Sequence, residues 1–368
     1  MQTLWRKSGV TLQPWGNSPR KPQMTDGREV RRGRFRIASK YNSGDDPGEK
    51  RHRARPWCFP FPLPAQHSPR RIPALVGVLF ALLLGLMAGC RPAPGPSPQP
   101  SERLLVAASI PPLADMVRQV GGQRVDVLTM VPPGASPHTY EPTPSQMRDL
   151  ARARLLFLNG VGLEFWADKA VEAADNPQLQ VVVLSQGMDI LQHSAHAQGN
   201  PHLWLSPRRA MTYVARIRDA LIAADPAGEA VYRRNAQAYL TQLRTLDADI
   251  RQAVATFRSK EMVTFHAAWA YFIADYGLHQ AAVLEPTPGK EPSAAEIAQI
   301  VAVVKASGAP AVFAEPQFSP RAMQAVAEAA GVPVLTLDPL GGTPPRETYL
   351  KLMRWNLEQL RKGLGGTP

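Results

Sequence analysis

Cysteine is almost missing from this chain. Only Cys58 and Cys90 occur among 368 residues, and none follows position 90. Disulfides and thiolate metal sites are thereby excluded from the main body. Acidic residues are scarce at the start: residues 1–90 carry 5 Asp and Glu against 16 Lys and Arg, while the remainder is nearly balanced at 25 against 26. The net charge of +12 and the pI near 10 therefore belong to an aperiodic leader, and no nucleic-acid partner is expected from them. Residues 1–69 read as a disordered basic leader or as a start site placed too early. No H-E-x-x-H zinc-hydrolase element occurs. NGVGLEFW (159–166) lacks the third glycine of a dinucleotide fingerprint, since Phe165 stands there.

One long apolar run is present. RRIPALVGVLFALLLGLMAGC (70–90) has two arginines, a hydrophobic core and small residues before a cysteine, the order of parts in a signal peptide. A retained transmembrane anchor is the alternative, because Ile72 to Gly89 is near spanning length. LMAGC resembles the lipobox of bacterial lipoproteins, which implies cleavage after residue 89 and lipid on Cys90. RPAPGPSPQPSE (91–102) follows, with five prolines in twelve residues. Such a tether extends by about 3.1 Å per residue and would hold a domain off a membrane surface.

Beyond the tether, short apolar runs alternate with helical patterns. LLVAA (104–108), VDVLTMV (125–131), LLFL (155–158) and VVVL (181–184) form one set. MVTF (262–265), AAVL (281–284), AVFA (311–314) and VLTL (334–337) form another. This alternation predicts two parallel-sheet α/β lobes, spanning 103–225 and 259–368. Between them, residues 226–258 carry Val231, Ala238, Leu243, Leu246, Ile250 and Val254 at nearly helical spacing, which predicts one connecting helix.

Three histidines stand out. His138, His202 and His266 are spaced by 64 and 64 residues, and Asp338 follows 72 later. His138 lies beyond VDVLTMV, His266 ends MVTFH and Asp338 ends VLTLD, so each is expected near the carboxyl end of a strand. Open α/β sheets hold their ligands there. In VPPGASPHTYEPTPSQM, Thr143-Pro144-Ser145-Gln146 reads as a helix N-cap, a first-turn proline and a capping-box glutamine. The prolines then stiffen a short loop around His138. In NPHLWLSP, His202 follows a proline and Ser206-Pro207 opens the next helix. Three imidazoles and a carboxylate make a tetrahedral set, with Zn–N near 2.0–2.1 Å expected. Two ligands come from each lobe, which places the metal in the cleft.

SPHTYEPTPSQM, NPHLWLSP, VTFHAAWAYF, VFAEPQFS and TYLKLMRWNLEQL together resemble the metal-binding proteins of zinc and manganese ABC importers, the cluster A-I solute-binding family. The resemblance spans roughly 103–362. It implies two α/β lobes joined by one long helix, a ligand set of His138, His202, His266 and Asp338, and delivery of the metal to a membrane permease. A monomer held outside the cytoplasm by lipid on Cys90 is expected. Some features depart from the pattern. Asn200 stands where Asp is frequent, and SQGMDILQHSAHAQG retains only His193 and His196 of the histidine-rich loop frequent in zinc members. Histidine at 266, where manganese members tend to carry a carboxylate, favours zinc. Glu315 matches a family motif and receives no role. Manganese or iron binding is the alternative within the family. A zinc-dependent hydrolase or an organic-solute binder is the alternative outside it. His279 is expected to be a bystander, and Trp204 and Trp269 to pack the cleft wall.

Overall fold

The computed structural model describes residues 103–192, 198–285 and 289–366. The leader, the signal segment, Cys90, the tether, His193 and His196 lie outside the described residues. The first sheet consists of β1 (Leu104–Ala108), β2 (Val125–Thr129), β3 (Leu155–Leu158) and β4 (Gln180–Val183), in the order β2-β1-β3-β4 with every pair parallel. The second, of β5 (Glu261–Thr264), β6 (His279–Val283), β7 (Val312–Ala314) and β8 (Val334–Thr336), repeats that order as β6-β5-β7-β8, again parallel. Parallel strands require crossovers, and helices supply them. They are α1 (Pro111–Gly121), α2 (Pro144–Leu150) and α3 (Ala167–Ala174) in the first lobe. In the second they are α6 (Ala270–Tyr276), α7 (Ala294–Ser307) and α8 (Arg321–Ala330). The two-lobed α/β architecture matches the expectation.

Between the sheets run α4 (Pro207–Ala224) and the long α5 (Glu229–Ala255), and α9 (Tyr349–Leu364) closes the chain. The 27 residues of α5 extend over about 40 Å, enough to serve both lobes. Its buried stripe departs from the predicted one at the N-terminal end. Ala238 is exposed and Val231 only half-buried, while Tyr232, Ala236 and Tyr239 face inward ahead of Leu243, Leu246, Ile250 and Val254. The two tyrosines bury their rings because each hydroxyl finds a carboxylate: Tyr232 donates to Asp225 at 2.6 Å and Tyr239 to Asp115 at 3.3 Å.

One continuous apolar core runs from β1 and β3 through α1, α4 and α5 to β7 and α9. Polar bonds also cross between the lobes. Asp115 of α1 accepts from the Tyr349 amide at the start of α9 at 2.9 Å, and the Trp204 indole donates to the Pro339 carbonyl at 2.8 Å. Arg209 of α4 engages both carboxylate oxygens of Asp275 on α6, at 2.8 and 3.1 Å. Burial pushes the Asp115 carboxyl up, against the pull of its hydrogen bonds from Tyr349, Gln119 and Tyr239. Among the described residues, no helix is long and apolar enough to cross a membrane.

Candidate metal centre

Each histidine is delivered by a differently built loop. His138 lies in the β2–α2 connection, whose far end is capped as the sequence predicts. Thr143 accepts from the Gln146 amide at 3.4 Å, Gln146 returns a bond to the Thr143 amide at 3.0 Å, and Pro144 takes the first helical position. The Gln146 side chain does more. Its amide donates to the Met130 carbonyl and its oxygen accepts from the Tyr140 hydroxyl, so one side chain ties together both ends of the loop around His138.

His202 begins a short 3-10 turn, Leu203–Leu205, just before α4. Pro207 starts that helix as expected. Ser206 makes no side-chain cap, however, and donates instead to Asp275 at 2.7 Å. Asn200 fixes the ring of His202. Its Nδ2 donates to the Ala267 carbonyl at 2.6 Å, which leaves Oδ1 to accept from His202 Nδ1 at 2.9 Å and from the His202 amide at 3.0 Å. His202 is thereby protonated at Nδ1 and presents Nε2 as a lone-pair donor.

His266 follows β5 by two residues and is buried. Its Nδ1 is 2.7 Å from Oε1 of Glu315, which lies one residue beyond β7. A carboxylate at Nδ1 again reserves Nε2 for a metal and raises its basicity. The sequence placed Glu315 in a family motif without giving it a role. The available signal was its place at a strand's carboxyl end, the same setting that flagged His266. Glu285, just past β6, is a second buried acid in this lobe, and burial pushes its carboxyl up.

The three Nε2 atoms converge. His138 Nε2 and His266 Nε2 each lie 3.1 Å from His202 Nε2, and the three rings form a group able to hold a metal ion. Ligands about 2.0–2.1 Å from a tetrahedral zinc are separated by roughly 3.3 Å, so this spacing is close to that of a first coordination shell. Trp204 and Phe318 line the same cavity, with the Trp204 ring 5.2 Å from that of His202. Trp269 is buried and packs on Phe272.

Asp338 is not part of the converging group. Its Oδ1 accepts from the amides of Leu340 and Gly341, each at 3.0 Å, and from Gln317 Nε2 at 2.9 Å. Oδ2 pairs with Arg346 at 2.8 Å. Arg346 Nε makes no hydrogen bond there, so that contact is one of charge alone. His279 is exposed and pairs with Glu261 at 2.7 Å, as a bystander would.

Two α/β lobes that bring three largely buried imidazoles together define a binding protein for a transition-metal ion. The family described as "zinc-uptake complex component A, periplasmic" matches residues 106–363, and this chain belongs to it: it is the metal-binding component of an ABC importer and not an enzyme. The manganese-binding lipoprotein MntA of Halalkalibacterium halodurans is 32% identical over 269 residues, covering 72% of this chain and 89% of MntA. The iron ABC transporter substrate-binding lipoprotein MtsA of Streptococcus pyogenes serotype M1 is 29% identical, over 72% of this chain and 90% of MtsA. A zinc-bound deletion mutant of ZnuA superposes with a TM-score of 0.66 at 29% identity, over 73% of this chain and all of the other. The relatives thus bind metals of three kinds.

Proposed function

We propose that this protein captures zinc outside the cytoplasm through His138, His202 and His266 and delivers it to its membrane permease. The observation that carries the reading is the convergence of three Nε2 atoms, those of His138 and His266 each 3.1 Å from that of His202, with two of the rings held at Nδ1 by Asn200 and Glu315. An all-imidazole set suits a borderline cation, and the general affinity order places Zn²⁺ above Mn²⁺ and Fe²⁺. The relatives named for manganese and iron keep those metals as the competing reading. Competition of equal zinc and manganese for the purified chain decides between them. Zinc retained at the site is the expected result, and manganese retained in its place would overturn the choice of metal.

The same reading places the mature chain on a membrane through lipid at Cys90, a position supported by the LMAGC motif and by relatives named lipoproteins. Fatty-acid labelling should disappear in Cys90→Ser. Labelling that persists in that variant would remove the anchor from the proposal.

A further inference from the structure

The NGVGLEFW turn (159–166), which lacks a dinucleotide fingerprint, leads from the carboxyl end of β3 to α3 and reaches the metal centre from behind. Gly160, Val161 and Gly162 all have positive φ, at 90°, 56° and 72°. That conformation is unfavourable for a β-branched residue such as Val161, and it persists only where the surrounding structure over-determines it. Buried Glu164 does so. Its Oε1 accepts from the Asn159 amide at 2.8 Å and its Oε2 from the Gly160 amide at 3.0 Å. The Asn159 side chain, fully buried, is then oriented by Tyr213 of α4, whose hydroxyl donates to Oδ1 at 2.6 Å. With Oδ1 engaged, Nδ2 donates to the Gly160 carbonyl at 2.9 Å and to the Pro201 carbonyl at 2.8 Å. Pro201 immediately precedes His202. The peptide that joins them is therefore held on both sides, its carbonyl by Asn159 and its N–H by Oδ1 of Asn200 at 3.0 Å. Rotation of that plane would swing the His202 ring, whose Nε2 stands 3.1 Å from each of the other two.

We propose that Asn159 is a positioning residue for metal capture: by holding the Pro201 carbonyl it sets the peptide plane before His202 and keeps that ring's Nε2 aimed at the centre. The inference rests on the three-imidazole reading and deepens it. A ligand already in place spares the ordering that binding would otherwise require, and so raises affinity. Asparagine suits the position because one short amide accepts from Tyr213 and donates to Pro201 at once. An aspartate would set an oxygen against the Pro201 carbonyl, and an apolar residue would leave the Tyr213 hydroxyl and that carbonyl buried without partners.

The test reads two quantities on the full chain: zinc affinity, by competition with a chelator, and the ring-nitrogen NMR signals of the histidines before metal is added. Asn159→Asp keeps the shape and the bond from Tyr213 but loses the bond to Pro201. It should weaken zinc by roughly tenfold, the lower end of the range for a residue behind a ligating histidine. It should also shift the ring signals of His202 and leave those of His266 in place, a selectivity that general loosening of the fold would not give. Adding Asn200→Ala should weaken zinc by less than the product of the separate effects, because both residues act on His202. Adding Glu315→Gln, which acts on His266, should give the full product. Tyr213→Phe removes one hydroxyl, and should weaken zinc by a smaller factor and shift the same His202 signals. That variant keeps the proposal testable where Asn159→Asp does not fold. Zinc affinity and His202 signals unchanged in either folded variant, or equal shifts at His202 and His266, would overturn the proposal. Wild-type protein that binds no zinc would bring down the three-imidazole reading and this inference together. Wild-type protein that binds zinc, beside an inert Asn159→Asp, would bring down the inference alone.

Discussion

Glu315 and Asn200 stand behind two imidazoles of one cluster, and they differ in charge. The carboxylate at His266 Nδ1 strengthens Nε2 as a donor, while the neutral amide at His202 Nδ1 chiefly sets ring orientation. Glu315→Gln keeps the shape and removes the charge. It should weaken zinc binding about 10- to 100-fold, the range typical for a partner of a ligating histidine. Calorimetric titration against a competing chelator measures this, and an affinity within threefold of wild type would show that Glu315 only fills space. The histidines were legible in the sequence because prolines, caps and strand ends mark their loops locally. Asp338 carried the same mark, but its neighbours Arg346, Gln317 and Asn356 were not legible there. Those three come from a later loop, a different strand end and α9, a juxtaposition that no local pattern reveals. Glu315 was passed over for the related reason that its role exists only once β5 and β7 lie side by side.

Among the elements, the strands and most helices follow from the alternation of short apolar runs with amphipathic stretches. The predicted capping box forms at Thr143–Gln146, and a second closes the start of α7 at Ser293–Glu296. Such a cap contributes about 1 kcal/mol. That is modest for the fold, but for α2 it also fixes where the His138 loop ends. The elements fail the sequence reading where a polar atom is buried with a partner. In the first half of α5 the inward face is made by Tyr232 and Tyr239, whose hydroxyls are satisfied by Asp225 and Asp115. A hydrophobicity count prefers Val231 and Ala238, which face outward or only partly inward. At Ser206, which opens α4 before Pro207, the hydroxyl makes no cap and instead donates to the half-buried Asp275 carboxylate that Arg209 also engages.

Over the whole molecule, the repeated 2-1-3-4 strand order places two equivalent strand-end surfaces where each lobe can supply imidazoles to one centre. His138 and His202 come from the side of the first sheet and His266 from the second. The bonds of Trp204 to Pro339, Asp115 to Tyr349 and Arg209 to Asp275 fix that meeting together with the shared core. The central claim is that these three side chains, drawn from both lobes, make one metal site. Native mass spectrometry of the purified chain during a zinc titration tests it most directly, with His202→Ala alongside because His202 stands within 3.1 Å of both partners. The account predicts one tightly held zinc per wild-type chain and none in the variant. A wild-type chain that takes up no zinc, or a His202→Ala chain that still carries one, would contradict it.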